Sequence, residues 1–205
     1  MRRLRPPVVA LLATLIFAAP AAAASPDVVI SQIYGAGGNS GALAANDYVE
    51  LFNRGPDAAS VDEWSIQYAS AAGTSWINKV DLSGTIPSGG HYLIALSGGT
   101  TGTPLPTPDA SGGILMSATN GKLALVTSTT PLTACGTDCS ALPQVRDFAG
   151  YGTADDFEGA GPVPALDAQN AGYRADGGCQ DTDDNAADFA RAALSSVSWQ
   201  PPSAR

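Results

Sequence analysis

Asp181, Asp183 and Asn185 alternate in Asp181-Thr-Asp-Asp-Asn185, the spacing of side-chain oxygens that opens a calcium-binding loop. The rest of such a loop is missing. No glycine follows Asn185, and the twelfth position from Asp181 is Ala192 in place of a bidentate glutamate, which excludes an EF-hand. Asx turns and the capping of a short helix account for these residues better than a bound ion. Four more acids, Asp147, Asp155, Asp156 and Glu158, include pairs of the kind that hydrolyse glycosides when they flank a cleft. In an acidic chain they are expected in loops, solvated or capping turns. A serine hydrolase needs a histidine to activate its nucleophile, and His91 is the sole histidine. It stands in Gly90-His-Tyr-Leu-Ile-Ala95 with no catalytic motif around it, as a surface or edge-strand histidine would. Gly35-Ala-Gly-Gly-Asn-Ser-Gly41 lacks the Lys-Ser/Thr ending and the following helix of a phosphate loop, and is expected to be a flexible turn. These residues therefore predict neither catalytic nor cofactor-binding groups, and no metal site beyond the weak calcium candidates.

The elements that must carry these residues are short. Apolar and polar residues alternate with period two over Val28 to Tyr34, Tyr48 to Phe52, Trp64 to Tyr68, Ser75 to Leu82, His91 to Leu96, Lys122 to Thr127 and Val145 to Tyr151, with Gly, Pro, Asn or Asp in the gaps. Such strands predict an all-β antiparallel sandwich with long loops at 35–46, 98–113 and 152–180. The proline-rich run after Gly98 cannot hold a central strand, because each proline removes a ladder donor. Only Ala186 to Leu194 has helix-compatible spacing, with Asp184 or Asn185 as its cap.

Residues 1–24 have the basic start, apolar stretch and small-residue end of a secretory signal peptide, which predicts a domain over 25–195 and a flexible tail over 196–205. The apolar stretch falls short of the roughly 20 residues that span a bilayer, so stable membrane insertion is not expected. Without the three leader arginines the formal charge of −9 becomes −12, a surface that repels phosphate backbones, and nucleic acid is not an expected partner. Three cysteines cannot all pair within one chain. Cys135 and Cys139 enclose a short loop and form the simplest disulfide, leaving Cys179 over. A structural zinc would need four ligands, for which the chain offers three cysteines and His91.

Taken in order, Asn46-Asp-Tyr-Val-Glu-Leu-Phe-Asn53, Val61-Asp-Glu-Trp-Ser-Ile-Gln67, Gly84-Thr-Ile-Pro-Ser-Gly-Gly90 and Val145-Arg-Asp-Phe-Ala-Gly-Tyr151 resemble the successive hallmarks of the lamin tail domain family. Val29 to Gly35 and Cys179 to Asn185 are similar to its bacterial secreted branch, and the resemblance spans about residues 26–190. It implies an immunoglobulin-like β-sandwich with Tyr48 and Trp64 in or near the core. Glu50 and Asp147 recur with the family's strands, which carry no accepted catalytic residues. The resemblance also implies a cysteine at the position of Asp156, paired with that before Asp-Thr-Asp; its absence orphans Cys179, as an unreactive buried thiol or as the link of a disulfide dimer.

The expected function is that of a secreted, extracellular, non-catalytic binding module whose loops contact an envelope, polysaccharide or protein partner. The alternative is an accessory domain beside a separate extracellular nuclease or phosphatase.

Overall fold

A computed structural model describes residues 25–133 and 135–194. The signal-peptide segment and the tail lie outside the described residues. Among the described residues, twelve strands and one α-helical turn follow in the order β1 (Val28–Tyr34), β2 (Asn46–Asn53), β3 (Ala59–Ser60), β4 (Ser65–Ala69), β5 (Asn78–Asp81), β6 (Thr85–Ile86), β7 (His91–Gly98), β8 (Ala110–Ser111), β9 (Gly121–Val126), β10 (Val145–Tyr151), β11 (Asn170–Arg174), α1 (Asn185–Asp188) and β12 (Phe189–Ala193), with 3-10 turns at Cys139–Ala141 and Asp176–Gly178. They form a six-stranded sheet β12-β11-β1-β2-β7-β8, a four-stranded sheet β10-β9-β4-β5 and a small β3-β6 ribbon. All pairings are antiparallel except β7 with β8.

Alternation places the core. Val28, Ile30, Ile33, Val49, Leu51, Tyr92, Ile94 and Leu96 of the first sheet meet Ile66, Tyr68, Val80, Leu123, Leu125, Ala149 and Tyr151 of the second. Each large side chain removed from water contributes about 1.5–3 kcal/mol, so this layer dominates the drive to fold. Tyr48 is buried on the opposite face of the six-stranded sheet, stacked on Tyr34 at 5.6 Å, and Trp64 is half-buried beneath the Arg146 guanidinium.

Several elements differ from the sequence expectation. The second sheet is covered on its outer face too: Gln67 donates to Thr130 O at 3.0 Å and accepts from Leu132 N at 2.9 Å, and Trp76, Leu132, Cys139 and Phe148 close a second apolar cluster over β4, β9 and β10. Trp76 belongs to that cluster and β5 starts only at Asn78. The long irregular stretch after Tyr151 contains β11, and the expected helix over Ala186 to Leu194 is a single turn, Asn185–Asp188, followed by β12. Strand pairing settles the matter, since Phe189 to Ala193 match Arg174 to Asn170 residue for residue. The Asp184 carboxylate still caps the turn, accepting from Ala186 N at 3.1 Å. The proline-rich segment provides only the two-residue β8 at the sheet edge and is tied to the 35–46 loop through Ala45 N to Thr103 O and Thr103 N to Leu43 O. No helix among the described residues is long and apolar enough to cross a membrane.

Candidate functional site

Two constellations of polar side chains stand out, one on the outer face of the six-stranded sheet and one inside the sandwich. The outer one is built on a β-bulge. In β1 the register with β2 shifts between Ile30 and Gln32, so Ser31 is an extra residue and both Ser31 and Gln32 reach Glu50 on the neighbouring strand. Ser31 Oγ donates to Glu50 Oε1 at 2.8 Å and Gln32 Nε2 donates to the same oxygen at 3.0 Å. From β7, His91 Nδ1 lies 2.9 Å from Glu50 Oε1. Glu50 is buried and His91 half-buried, its ring 4.8 Å from that of Phe52. Tyr173 is the cross-strand partner of Gln32 on the other side. Burial raises its phenol above the usual range. Ser31, Gln32, Glu50, His91 and Tyr173, with residues 175–178, line an open cavity of about 380 Å³.

The inner constellation uses the polar groups freed by the same bulge. Ile30 N donates to Asp147 Oδ2 and Ile30 O accepts from Arg174 Nε at 2.7 Å. Arg174 Nη2 meets both oxygens of Asp147, at 2.9 and 2.8 Å, while Nη1 lies 3.2 Å from Asp181 Oδ1 and 3.5 Å from Asp188 Oδ2. The guanidinium plane rests on Phe189, 4.6 Å from the ring centroid. Arg54 Nη1 and Ser25 N hold the second oxygen of Asp181 at 3.1 and 2.7 Å. Glu158 completes the cluster, receiving Asn185 Nδ2 at 3.1 Å. Burial, followed by the charge of Asp147, pushes the Glu158 carboxyl up to about 10. Burial likewise raises Asp147 to about 6 against the opposing pull of Arg174.

Two of the weak calcium candidates are taken up by protein partners of the inner cluster. Asp181 serves Arg174 and Arg54; Asn185 is buried and knits Phe148 O, Gly150 N and Glu158 together; Asp183, half-buried, joins neither. The acids whose ligand atoms do lie within 4.8 Å of one another are Asp147, Glu158 and Asp181, and there the positive charge is supplied by the Arg174 guanidinium. The expectation of loop acids, solvated or capping turns, holds for Asp155 and Asp156, the latter accepting from two loop N–H groups, and is corrected for Asp147 and Glu158. Asp147 stands in β10, and Asp147, Asp156 and Glu158 are buried; Asp155 alone is on the surface, paired with the Lys122 ammonium at 2.6 Å. His91 opens β7, paired with Phe52 of β2, and β8 lies alongside only Ile94 and Ala95, so the strand has a free edge at the histidine, which is half-buried. Gly35 to Gly41 forms a tied turn in which Gly37 N donates to the Asp47 carboxylate at 2.7 Å.

Cys135 and Cys139 form the expected disulfide, and Asp156 fastens its loop by accepting from Asp138 N at 3.1 Å and Cys139 N at 2.9 Å. Cys179 is free and exposed, in contrast to the buried form of an orphan thiol. Sequence reasoning missed Arg174 and the grouping of Gln32, Glu50 and His91. Alternation in β2 does set Glu50 on one face with Tyr48 and Phe52, but the register of β2 with β7 and the bulge in β1 carry no local signal.

The arrangement is that of a small immunoglobulin-like β-sandwich with an interior ion network and a surface cavity over Glu50 and His91. The Lamin Tail Domain profile matches residues 21–146, more than half of the chain, and the chain belongs to that family. No curated protein matches it. Glu50 and His91 fall inside the matched segment, whereas Glu158, Arg174 and Asp181 lie beyond it.

Proposed function

We propose that this protein is a secreted, non-catalytic interaction module that attaches to an envelope component, a polysaccharide or a protein partner. The observation that carries the reading is the way the reactive side chains are tied off. Ser31 donates its hydroxyl to Glu50 and not to His91, so the single histidine has no bonded nucleophile. Of the remaining buried acids, Asp147, Asp181, Asp188 and Glu158 are held by Arg174, Arg54 and Asn185, and Asp47 and Asp156 by backbone N–H groups. What stays open is a surface cavity on a rigid sheet, the arrangement that supports binding.

Co-sedimentation of residues 25–205 with envelope fragments from the source cell, in calcium and in chelator, tests the reading. Pelleting in both conditions is expected, because the acids nearest a calcium loop are engaged with arginines. Protein that stays in the supernatant in both conditions overturns envelope attachment.

A further inference from the structure

We propose that the cavity over Glu50 and His91 is a binding site for an uncharged sugar ring, held through a pair of its hydroxyl groups. The inference rests on the module reading and names its site and ligand class. Three donors converge on Glu50 Oε1, from Ser31, Gln32 and His91, while Glu50 Oε2 receives no hydrogen bond from any described residue. His91 Nε2 is equally without a partner among the described residues. An acceptor oxygen and an imidazole nitrogen on two residues that line one cavity match a pair of sugar hydroxyls, each of which donates one hydrogen bond and accepts another. The Tyr173 ring, half-buried at the cavity wall, offers an apolar face for the C–H side of a pyranose. At about 380 Å³ the space lies near the lower end of the range for small-ligand pockets, roughly 300–1,000 Å³.

Other ligand classes fit less well. A phosphate or carboxylate would face Glu50 and the rim residue Asp176 with no lysine in the lining; the one arginine there, Arg174, has its guanidinium engaged by Asp147 and Asp181. A metal ion would find Glu50, His91 and the rim Asp176, whose ligand atoms do not gather into a close set of three; the one such group among the described residues lies elsewhere. A long apolar ligand would strand Gln32, Glu50 and His91 without water.

The test is titration of residues 25–205 with glucose-, galactose-, mannose- and N-acetylglucosamine-containing disaccharides at millimolar concentration, following the His91 imidazole and the Gln32 side-chain amide by NMR. Calcium chloride and inorganic phosphate serve as parallel probes. Saturable shifts of both groups with at least one sugar, weakened tenfold or more by Tyr173→Ala and by Glu50→Gln, are expected. Tyr173 is partly exposed, so its variant reports on binding even where the Glu50 variant fails to fold. Sugars that leave both resonances unmoved, sugar shifts undiminished by Tyr173→Ala, or saturation by calcium or phosphate in place of sugar each overturn the assignment. Pelleting with envelope that neither free sugar nor Tyr173→Ala reduces overturns the cavity while leaving the module reading intact. Sugar shifts without pelleting do the reverse.

Discussion

Removal of the Arg174 guanidinium leaves Asp147, Asp181 and Asp188 facing one another inside the sandwich, with Ile30 O unpaired. Replacing a buried ion network as a whole by apolar groups is often nearly neutral, whereas deleting one partner strands the others and costs about 3–5 kcal/mol. Arg174→Met should therefore lower the unfolding free energy by about that amount in urea titrations at neutral pH, and Arg174→Met combined with Asp147→Asn should recover a measurable part of it. Two equal losses, or a double variant worse than the single one, would contradict a shared network. Nothing local in the sequence marks Arg174. Its partners Ile30 and Asp147 are remote in the chain and belong to strands on either side of the interface between sheets, so only the assembled fold makes it central.

Elements were legible where one face is apolar. Val28 to Tyr34, Tyr48 to Phe52 and His91 to Leu96 alternate because one side packs on the other sheet, and the structure follows them closely. β11 and β12 were not, since Asn-Ala-Gly-Tyr-Arg and Phe-Ala-Arg-Ala-Ala have no β-branched residue and owe their conformation to pairing with β1 and with each other. The same holds for the outer cover of β4. Gln67 looks solvent-facing by period, but the chain after Val126 returns over it and ends in the Cys135–Cys139 loop. That loop is also anchored without its disulfide. Trp76 Nε1 donates to Cys135 O at 3.2 Å, Lys122 Nζ donates to Gly136 O at 3.0 Å, and Asp156 holds two backbone N–H groups. Cys135→Ser with Cys139→Ser should therefore remove only the constraint on the unfolded chain, about 2 kcal/mol for so short a loop. This corresponds to a fall in Tm of about 4–8 °C by calorimetry, with cooperative unfolding retained. An unfolded double variant would show that the disulfide organises the cover and does not merely tighten it.

At the scale of the whole molecule, the distribution of buried acids sets how stability depends on pH. Burial raises Asp47 to about 6 although Met116 N and Gly37 N donate to it, raises Asp147 to about 6, and pushes Glu158 up to about 10. In the unfolded chain these groups titrate near the ordinary values of about 3.9 and 4.3. A carboxyl raised in the native state binds protons more tightly there, so its contribution is complete below about pH 4 and is lost as the pH climbs through its native value. Asp47 and Asp147 thus withdraw stability between about pH 4 and 6, and Glu158 continues to withdraw it toward pH 10. Asp27 and Asp188 act in the opposite sense. Burial opposes their ionisation, but hydrogen bonds from Arg146 to the first and from Thr182 to the second hold both below the ordinary range, and their contribution is lost on acidification below about pH 4. The two tendencies place the stability maximum at mildly acidic pH, with Tm falling from about pH 5 to pH 9. Glu158→Gln keeps an acceptor for Asn185 Nδ2 and cannot ionise, so it should flatten the decline above pH 6 and leave the acid limb unchanged. Thermal melts of both proteins across this range decide the point: a wild-type Tm that rises from pH 5 to pH 9, or a Glu158→Gln profile parallel to it, would mean that the acids between the sheets are charged together and that Arg174 and Arg54 neutralise them.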